Sequence, residues 1–209
     1  MLNIIIIGAG GHGQVVADIL LAGLKVGREL RPVGYADDDP GLAGQTRLGL
    51  PVLGRLARLS EWPHQAVVLG IGANATRHRL AEQLKAQGER LVSALHPSAI
   101  LGTGVEIGTG TVICAGVVVN PGTWLGEGVI LNTACSVDHH NRLGDYAHIA
   151  PGAHLGGDVE IGAGTLIGIG ATVMPQRRVG AWSTVGAGAV VTRNLPSGVT
   201  AVGVPARVV

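Results

Sequence analysis

Aliphatic residues return at every sixth position along the second half of the chain. The series runs from residue 101 to residue 191 and contains sixteen members with no insertion between them. At the chain's 46% hydrophobic frequency, chance would give such a series with a probability of roughly 4 × 10⁻⁶. Its members are Leu101, Ile107, Ile113, Val119, Leu125, Leu131, Val137, Leu143, Ile149, Leu155, Ile161, Ile167, Val173, Val179, Val185 and Val191. A six-residue period predicts a parallel β-helix, which buries its core by stacking coil upon coil.

A second restricted position lies four residues after each aliphatic one. Most of its occupants are small or β-branched, for example Val117, Thr123, Ala147 and Thr165. Glycine often follows the aliphatic residue directly, as at residues 102, 108, 126, 144 and 156. The pattern therefore predicts short strands with two inward positions, joined by tight turns that need a permissive backbone.

The first 95 residues follow a different pattern, in which strand signals alternate with helical ones. Leu2–Ile7 is a continuous apolar run, as in a buried parallel strand. Further strands are predicted over residues 32–36, 66–69 and 90–95, and helices over residues 14–24 and 74–87, the second capped by Asn74 and ended by Gly88. This alternation predicts a small parallel α/β sheet.

The two patterns divide the chain into two predicted domains. Residues 1–95 form a small Rossmann-like α/β domain, and residues 96–209 form the β-helix. The fold class expected is thus an N-terminal α/β domain followed by a C-terminal parallel β-helix.

Composition narrows the classes of function. A net charge of +1 lacks the clustered positive charge that nucleic acid requires. The two cysteines, Cys114 and Cys135, form no disulfide framework and are expected to be apolar fillers in a reducing compartment. The N-terminus lacks the features of a signal peptide, and no apolar stretch approaches ~20 residues. We therefore expect a cytoplasmic protein without membrane insertion.

A glycine-rich loop follows the first predicted strand. Residues 8–13 read GAGGHG, which fits GxGxxG between a strand and a helix and predicts a cradle of backbone N–H groups for phosphate. An NAD site is one interpretation, but the domain is short for two mononucleotide-binding halves, and Asp37 and Asp38 come later than the usual ~20 residues. Another is that the glycines only permit a tight turn.

Four of the eight histidines lie close together in the sequence, at His139, His140, His148 and His154. Such a group can form a metal site or supply a general base. His148 and His154 are six residues apart on successive faces of the coil, so they cannot easily bind one ion. His139 lies two residues after an inward aliphatic position, near a corner, where a neutral imidazole can accept a proton. We therefore expect no metal, and a solvated turn is the better interpretation for His154.

With these features the chain resembles the hexapeptide-repeat acyltransferases. Its likeness is to the branch that N-acetylates amino-sugar nucleotides or O-acetylates sialic acid. The resemblance rests on the repeat, the glycine loop, the segment VILNTACSVDH at residues 129–139 and the ending GVPAR at residues 203–207. It implies a left-handed β-helix with 18 residues per coil, a homotrimer, and direct transfer from acetyl-CoA without a metal or a covalent intermediate.

The resemblance also implies roles for individual residues. His139 would be the general base and Asn132 an active-site contact. Acetyl-CoA would contact His148, Ile169, Gly186 and Ala187. The sugar nucleotide would meet Gly11, His12 and Gly13 through its pyrophosphate and sugar, Asp37 and Asp38 through its nucleoside, and Gly72 in the same crevice.

One position departs from the family pattern. An acid usually follows the base directly, but here that residue is His140. Either Asp138 or Asp145 would then orient His139, or the base works without an acid. Arg177, a charged residue at a normally small position, would flank the CoA phosphates with Arg178 or cap a surface.

Three functional hypotheses follow. The first is an acetyl-CoA-dependent N-acetyltransferase for a nucleotide-linked amino sugar, such as a UDP- or GDP-4-amino-4,6-dideoxy sugar. The alternative is an O-acetyltransferase for sialic acid or a related free sugar. The third is a non-enzymatic β-helix scaffold or nucleotide sensor.

Overall fold

The computed structural model describes all 209 residues and divides into two compact units, Met1–Pro97 and Ser98–Val209. The division falls two residues beyond the boundary drawn from the change of sequence pattern. No helix in either unit has the length and apolar character needed to span a membrane.

A five-stranded sheet with flanking helices forms the first unit. Its strands are β1 (Leu2–Ile7), β2 (Leu30–Ala36), β3 (Thr46–Arg47), β4 (Leu50–Gly54) and β5 (Ala66–Leu69), in the order β3-β4-β2-β1-β5. All neighbours are parallel except β3 and β4. The helices are α1 (Gly11–Lys25) and α2 (Asn74–Ala86), with a 3₁₀ helix at Leu56–Glu61. Ile4 to Ile7 are fully buried, as a continuous apolar run in a central parallel strand requires.

Several details of the first unit differ from the sequence prediction. Helix α1 begins at Gly11, three residues early, because the glycine loop itself forms the first helical turn. Asn74 is the first helical residue and not the cap, which falls at Ala73. Strands β3 and β4 and the 3₁₀ helix were not predicted, since each is short and without a clear period. Residues 90–95 form only a bridge at Leu91 and the two-residue strand Ala94–Leu95.

Two-residue strands on three faces form the second unit. The first face holds Ile100–Leu101, Val118–Val119, Ser136–Val137, His154–Leu155, Thr172–Val173 and Val190–Val191. The second holds Glu106–Ile107, Trp124–Leu125, Arg142–Leu143, Glu160–Ile161 and Arg178–Val179. The third holds Val112–Ile113, Ile130–Leu131, His148–Ile149, Leu166–Ile167, Thr184–Val185, Thr200–Val202 and Arg207–Val208. Strands on one face pair in parallel at a spacing of 18 residues, for example Val118 with Ser136. At the end of the third face the parallel pair Thr184 and Thr200 is 16 residues apart, and the last strand is antiparallel.

The aliphatic series lies inside the coil, as the six-residue period predicted. Every member from Ile113 onwards is buried, whereas Leu101 in the first coil is 38% exposed. A parallel β-helix buries each residue only between its neighbouring coils, so a first-coil residue has fewer apolar partners.

This difference gives a test of the core. Ile149→Ala, at a fully buried position, is expected to destabilise the protein by about 2–5 kcal/mol, because it removes apolar contacts and leaves a cavity. Leu101→Ala is the matched control, and its expected loss is below about 1 kcal/mol. The midpoint of urea unfolding measures both. Equal midpoints for the two variants would contradict the assigned core.

Candidate active site

The glycine loop of the first unit joins the end of β1 to the start of α1. Gly8 has a φ of +100°, and its N–H donates to the Ala36 carbonyl at 2.8 Å. A Cβ on Gly13 would lie 2.0 Å from the Gly8 carbonyl oxygen, so α1 packs directly on the loop. Gly10 and Gly11, by contrast, are exposed and face no atom within 4 Å of a built Cβ.

The amino end of α1 has the properties of an anion site. Helix α1 has 15 residues, no side-chain cap and no acidic residue in its first turn. Unbonded N–H groups and the positive end of the helix dipole favour phosphate at such a position. Gly8 and Gly13, which pack against each other, therefore shape the turn. Gly10 and Gly11, which are exposed, keep the helix end accessible.

A cleft of about 560 Å³ lies at the carboxyl ends of β1 and β2. Asp37 and Asp38, the two residues predicted to contact a nucleoside, line it. Other lining residues were not singled out from the sequence. They include Leu56 in the 3₁₀ helix and Arg79 and Gln83 on α2. Gly11, His12, Gly13 and Gly72 are not among the lining residues. Ligands bind in open parallel sheets at this edge, so the cleft is the candidate nucleotide site.

The two aspartates have different surroundings. Both carboxylate oxygens of Asp37 accept backbone N–H bonds, from Ala9 at 2.7 Å and from Asp39 at 2.9 Å. Asp38 is exposed, and one of its oxygens accepts the Leu56 N–H at 2.9 Å. Asp37 thus fixes the glycine loop, and Asp38 is the acid better placed to meet a nucleoside.

Arg77, a fully buried arginine, supports the loop that follows β5. Its guanidinium donates to the carbonyls of Ile71 and Gly72, both at 3.1 Å, and to the Asn74 side chain at 3.0 Å. Sequence reasoning did not single out Arg77. The available signal was its spacing, three residues before Leu80 on the buried face of α2.

Burial, with the nearby charge of Arg77, lowers the pKa of His12 to about 4. Its imidazole is therefore neutral at pH 7 and can meet a ligand only as a neutral donor or acceptor. In the unfolded chain the pKa returns to about 6.5.

Stability should therefore depend on pH through His12. The unfolded chain takes up this proton more readily than the folded one, so the stabilisation present above pH 6.5 is lost as the pH falls towards 4. We expect a decline of about 2 kcal/mol between pH 7 and pH 5 from this group. Urea midpoints across that range should vary less for His12→Gln than for the wild type. Parallel curves would contradict the assignment.

In the second unit, His139 and His140 lie side by side on an exposed corner turn. Their Nδ1 atoms are 3.0 Å apart, and the rings meet edge to face at 75°. A Cβ on Gly157, one coil further on, would lie 2.4 Å from Cε1 of His139. A Cβ on Gly122, one coil earlier, would lie 2.7 Å from Cδ2 of His140. The two glycines thus leave room for the two rings.

The buried side chain of Asn141 fixes this turn. Its Nδ2 donates to the Asp138 and Gly156 carbonyls at 2.5 and 3.0 Å, and its Oδ1 accepts the Val159 N–H at 2.8 Å. Asn141 occupies an inward position that is apolar in many other repeats. Its hydrogen bonds offset the cost of burying a polar side chain there.

Neither acid proposed to orient His139 contacts its imidazole. Asp138 Oδ1 accepts from the Asn120 side chain at 2.7 Å and from the His139 backbone N–H at 2.8 Å. The hydrogen bond from Asn120, then that from His139, lowers the pKa of the Asp138 carboxyl. Asp145 Oδ1 accepts the Glu127 backbone N–H at 2.8 Å. Both carboxylates therefore accept backbone N–H groups, and neither of these hydrogen bonds involves the His139 imidazole.

Asp158 is the acid that lies beside the histidine pair. One of its carboxylate oxygens and one nitrogen of each imidazole lie within 4.8 Å of one another. These residue types also bind transition metals, but all three side chains are exposed, and groups of this kind are common without an ion.

Asn132 and His148, both predicted as site residues, lie together on the third face. Asn132 Nδ2 is 3.2 Å from His148 Nε2, and Asn132 Oδ1 accepts the Thr133 N–H at 2.8 Å. His154, by contrast, lies on the first face, where its Nδ1 is 2.8 Å from the Ser136 hydroxyl.

The other three residues expected at acetyl-CoA, Ile169, Gly186 and Ala187, lie at turns of the coil. Ile169 is 62% exposed, and its carbonyl accepts the Gly188 N–H at 2.8 Å. Ala187 lies one 18-residue coil beyond Ile169 and is exposed, whereas Gly186 packs against Val202. This corner is an exposed apolar edge.

The two arginines that the sequence connected with CoA have protein partners. Arg177 Nε donates to the Pro175 carbonyl at 3.1 Å. Arg178 lies 3.1 Å from Glu160 in an exposed ion pair. The thiols are inert, because burial raises the pKa of Cys114 to about 11 and that of Cys135 to about 12.

Both units of the chain resemble known proteins. The PglD N-terminal domain model matches residues 3–84, and the bacterial transferase hexapeptide (six repeats) model matches residues 158–193. PerB from Caulobacter crescentus, in complex with CoA and GDP-perosamine, is 38% identical with a TM-score of 0.90, over 99% of this chain and 97% of that one. The acetyltransferase domain of PglB from Neisseria gonorrhoeae FA1090 is 37% identical with a TM-score of 0.91, over 100% of both chains. WeeI from Acinetobacter baumannii AYE is 30% identical with a TM-score of 0.88, also over 100% of both.

The chain belongs to the hexapeptide-repeat family of sugar N-acetyltransferases. Its fold is the small α/β domain followed by a left-handed parallel β-helix that the sequence predicted. It is an acetyltransferase, and structures of its relatives hold CoA or acetyl-CoA. The scaffold hypothesis is therefore wrong.

Proposed function

We propose that this acetyltransferase acylates the amino group of a nucleoside-diphosphate-linked 4-amino-4,6-dideoxy sugar, with GDP-perosamine as the first substrate to test. The observation that supports it most is the pairing of two features in one chain. In the first unit, Gly8 of the glycine loop lines the cleft together with Asp37 and Asp38, and the uncapped amino end of α1 follows that loop. In the second unit, the β-helix offers an exposed histidine on an ordered turn. PerB, similar over 99% of this chain, was crystallised with CoA and GDP-perosamine.

In the proposed reaction, the sugar amine attacks the thioester carbon of acetyl-CoA. The C–N bond forms and the C–S bond breaks, while His139 takes the amine proton, which then passes to the CoA thiolate. Backbone N–H groups stabilise the oxyanion of the tetrahedral intermediate. No step requires a protein thiolate, in keeping with the buried cysteines.

The residue roles proposed here follow the contacts. The pyrophosphate binds at the amino end of α1, near Gly11, His12 and Gly13. Asp38 meets the nucleoside, and Asp37 holds the loop in place. Asn132 and His148 act as a hydrogen-bonded pair at the acetyl-CoA side of the site.

A homotrimer in the cytoplasm is part of the same proposal. Ile169, Met174 and Trp182 are 62%, 46% and 46% exposed in the single chain, and apolar area of this kind is commonly covered by a partner. Size-exclusion chromatography with light scattering measures the mass of the assembly, and we expect three times the 21.2 kDa chain mass. A monomer mass would contradict this part of the proposal.

The substrate assay follows release of the CoA thiol with a thiol-reactive dye. We expect release with acetyl-CoA and GDP-perosamine, less with a UDP-linked 4-amino sugar, and none with free amino sugar or sialic acid. The glycine loop supports the preference for a linked over a free sugar, because a nucleotide-binding site adds affinity only for a linked sugar. GDP is placed before UDP because PerB was crystallised with GDP-perosamine. Activity on sialic acid alone would favour the O-acetyltransferase instead.

A further inference from the structure

Ionisable side chains occupy two successive levels in one column of stacked turns. The column is formed by residues 104, 122, 140, 158 and 176, spaced by 18, and all have φ between +55° and +72°. Glycine fills the first two levels, and His140 and Asp158 fill the next two. The Asp158 N–H donates to the His139 carbonyl at 3.0 Å, which fixes the two turns against each other.

The neighbouring column brings the base towards the same acid. It contains Pro121, His139, Gly157 and Pro175, again spaced by 18. Because residue 157 is a glycine, the His139 imidazole lies against the coil that carries Asp158. Any side chain at that position would displace the ring.

The contact between the two imidazoles constrains their protons. Two ring nitrogens 3.0 Å apart form a hydrogen bond only if one carries a proton and the other does not. A His139 that accepts the substrate proton at Nε2 must carry its own proton on Nδ1. His140 then accepts at Nδ1 and carries its proton on Nε2.

This arrangement divides one role between two residues. A carboxylate directly after the base would both orient the ring and provide a negative charge. His140 can orient the ring as a neutral acceptor, but it provides no negative charge. The Asp158 carboxylate, within 4.8 Å of both imidazoles, provides it.

We propose that His140 and Asp158 act together as positioning residues for His139. His140 holds the imidazole in the Nδ1–H form, and Asp158 stabilises the imidazolium that forms when the substrate proton is taken. This inference rests on the proposed role of His139 as the base.

The other charged groups around the base do not take this role. Asp138 lies on the same turn and interacts with the charge of His139, but the hydrogen bonds from Asn120 and from the His139 backbone hold its Oδ1 and are the larger causes of its lowered pKa. Arg177, in the turn that follows Gln176, donates its Nε–H to the Pro175 carbonyl. Asp145 holds the Glu127 backbone. The carboxylate that lies against both imidazoles is that of Asp158.

The first test does not depend on activity. In ¹⁵N-histidine-labelled protein at pH 8 with EDTA, we expect the His139 resonances, assigned with His139→Asn, to show a protonated Nδ1. His140→Ala should shift His139 towards the Nε2–H form that free imidazole side chains favour. An Nε2–H form in the wild type would overturn the proposal, whatever substrate the enzyme uses.

The second test measures how the charge of Asp158 affects the pH–rate profile. In Asp158→Asn, we expect kcat to fall about tenfold with KM for both substrates within twofold. The acid limb of the pH–rate profile should move to lower pH, because a nearby carboxylate favours the charged imidazole. Asn tolerates positive φ, so the turn should persist.

Two further variants make this test specific. His140→Asp in the Asp158→Asn background puts a carboxylate next to the base and should restore the acid limb and most of kcat. Asp145→Asn makes the same charge change at another turn and should keep the wild-type profile. A wild-type profile in Asp158→Asn, or no rescue by His140→Asp, would overturn the proposal.

Discussion

Replacing His139 with asparagine is expected to lower kcat by about 10²–10⁴-fold, the usual contribution of a general base. Asparagine keeps the approximate size of the side chain but cannot accept a proton near pH 7. The KM values for acetyl-CoA and the nucleotide sugar should change by less than about threefold, since proton transfer belongs to the transition state. Steady-state release of CoA thiol measures both parameters.

His154→Asn is the matched control for this prediction. His154 is likewise exposed, but it lies on another face and contacts the Ser136 hydroxyl. Its kcat should stay within about twofold of the wild type. Binding should survive in His139→Asn, because asparagine keeps the approximate size of the side chain and the lost proton transfer belongs to the transition state. A His139→Asn enzyme with wild-type kcat would remove His139 from the mechanism.

The β-helix could be predicted because its signal is repeated. Each six-residue repeat has the same two inward positions, so an ambiguous residue in one repeat is outweighed by the pattern in the others. Leu131 and Val173 carry the same information as Ile149, and all three are buried. Strands β3 and β4 have no such repetition, and Pro51 breaks the period of β4. Local pattern therefore could not find them.

The site could be predicted only where one residue type determines the chemistry. His139 stood out because an imidazole at a corner is a ready base. Asp158 did not, because its importance lies in the 18-residue stacking and not in its neighbours along the chain. Asp138 and Asp145 were closer in sequence, yet both bind backbone N–H groups. A period of 18 applied to position 140 leads directly to Asp158, so the repeat contained this information.

Arg77 shows a different limit of sequence reasoning. A charged residue on a helix usually lies in solvent, and α2 is polar over much of its surface. Here the guanidinium is buried beneath the Ile71–Gly72 carbonyls, so its burial depends on the fold around it. The pKa of His12, which burial and then the charge of Arg77 lower to about 4, is likewise a property of the packed domain.

The nucleotide site gives the second large effect. Gly13→Ala places a Cβ 2.0 Å from the Gly8 carbonyl oxygen, a contact that neither backbone segment can accept. We expect α1 to move away from the glycine loop, which removes the aligned N–H groups from the pyrophosphate. The expected weakening of GDP binding is about 100-fold, or about 3 kcal/mol. Calorimetric titration with GDP measures it.

The controls separate a lost site from a lost fold. Gly23→Ala makes the same substitution in the same helix, where the built Cβ meets only the flexible Arg28 side chain at 3.4 Å. It should bind GDP like the wild type, and alanine should favour the helix by up to about 1 kcal/mol. Titration of Gly13→Ala with acetyl-CoA should still give wild-type heat, because the β-helix is a separate unit. If Gly13→Ala bound GDP as tightly as the wild type, the loop would be a structural turn, and the nucleotide would have to bind elsewhere.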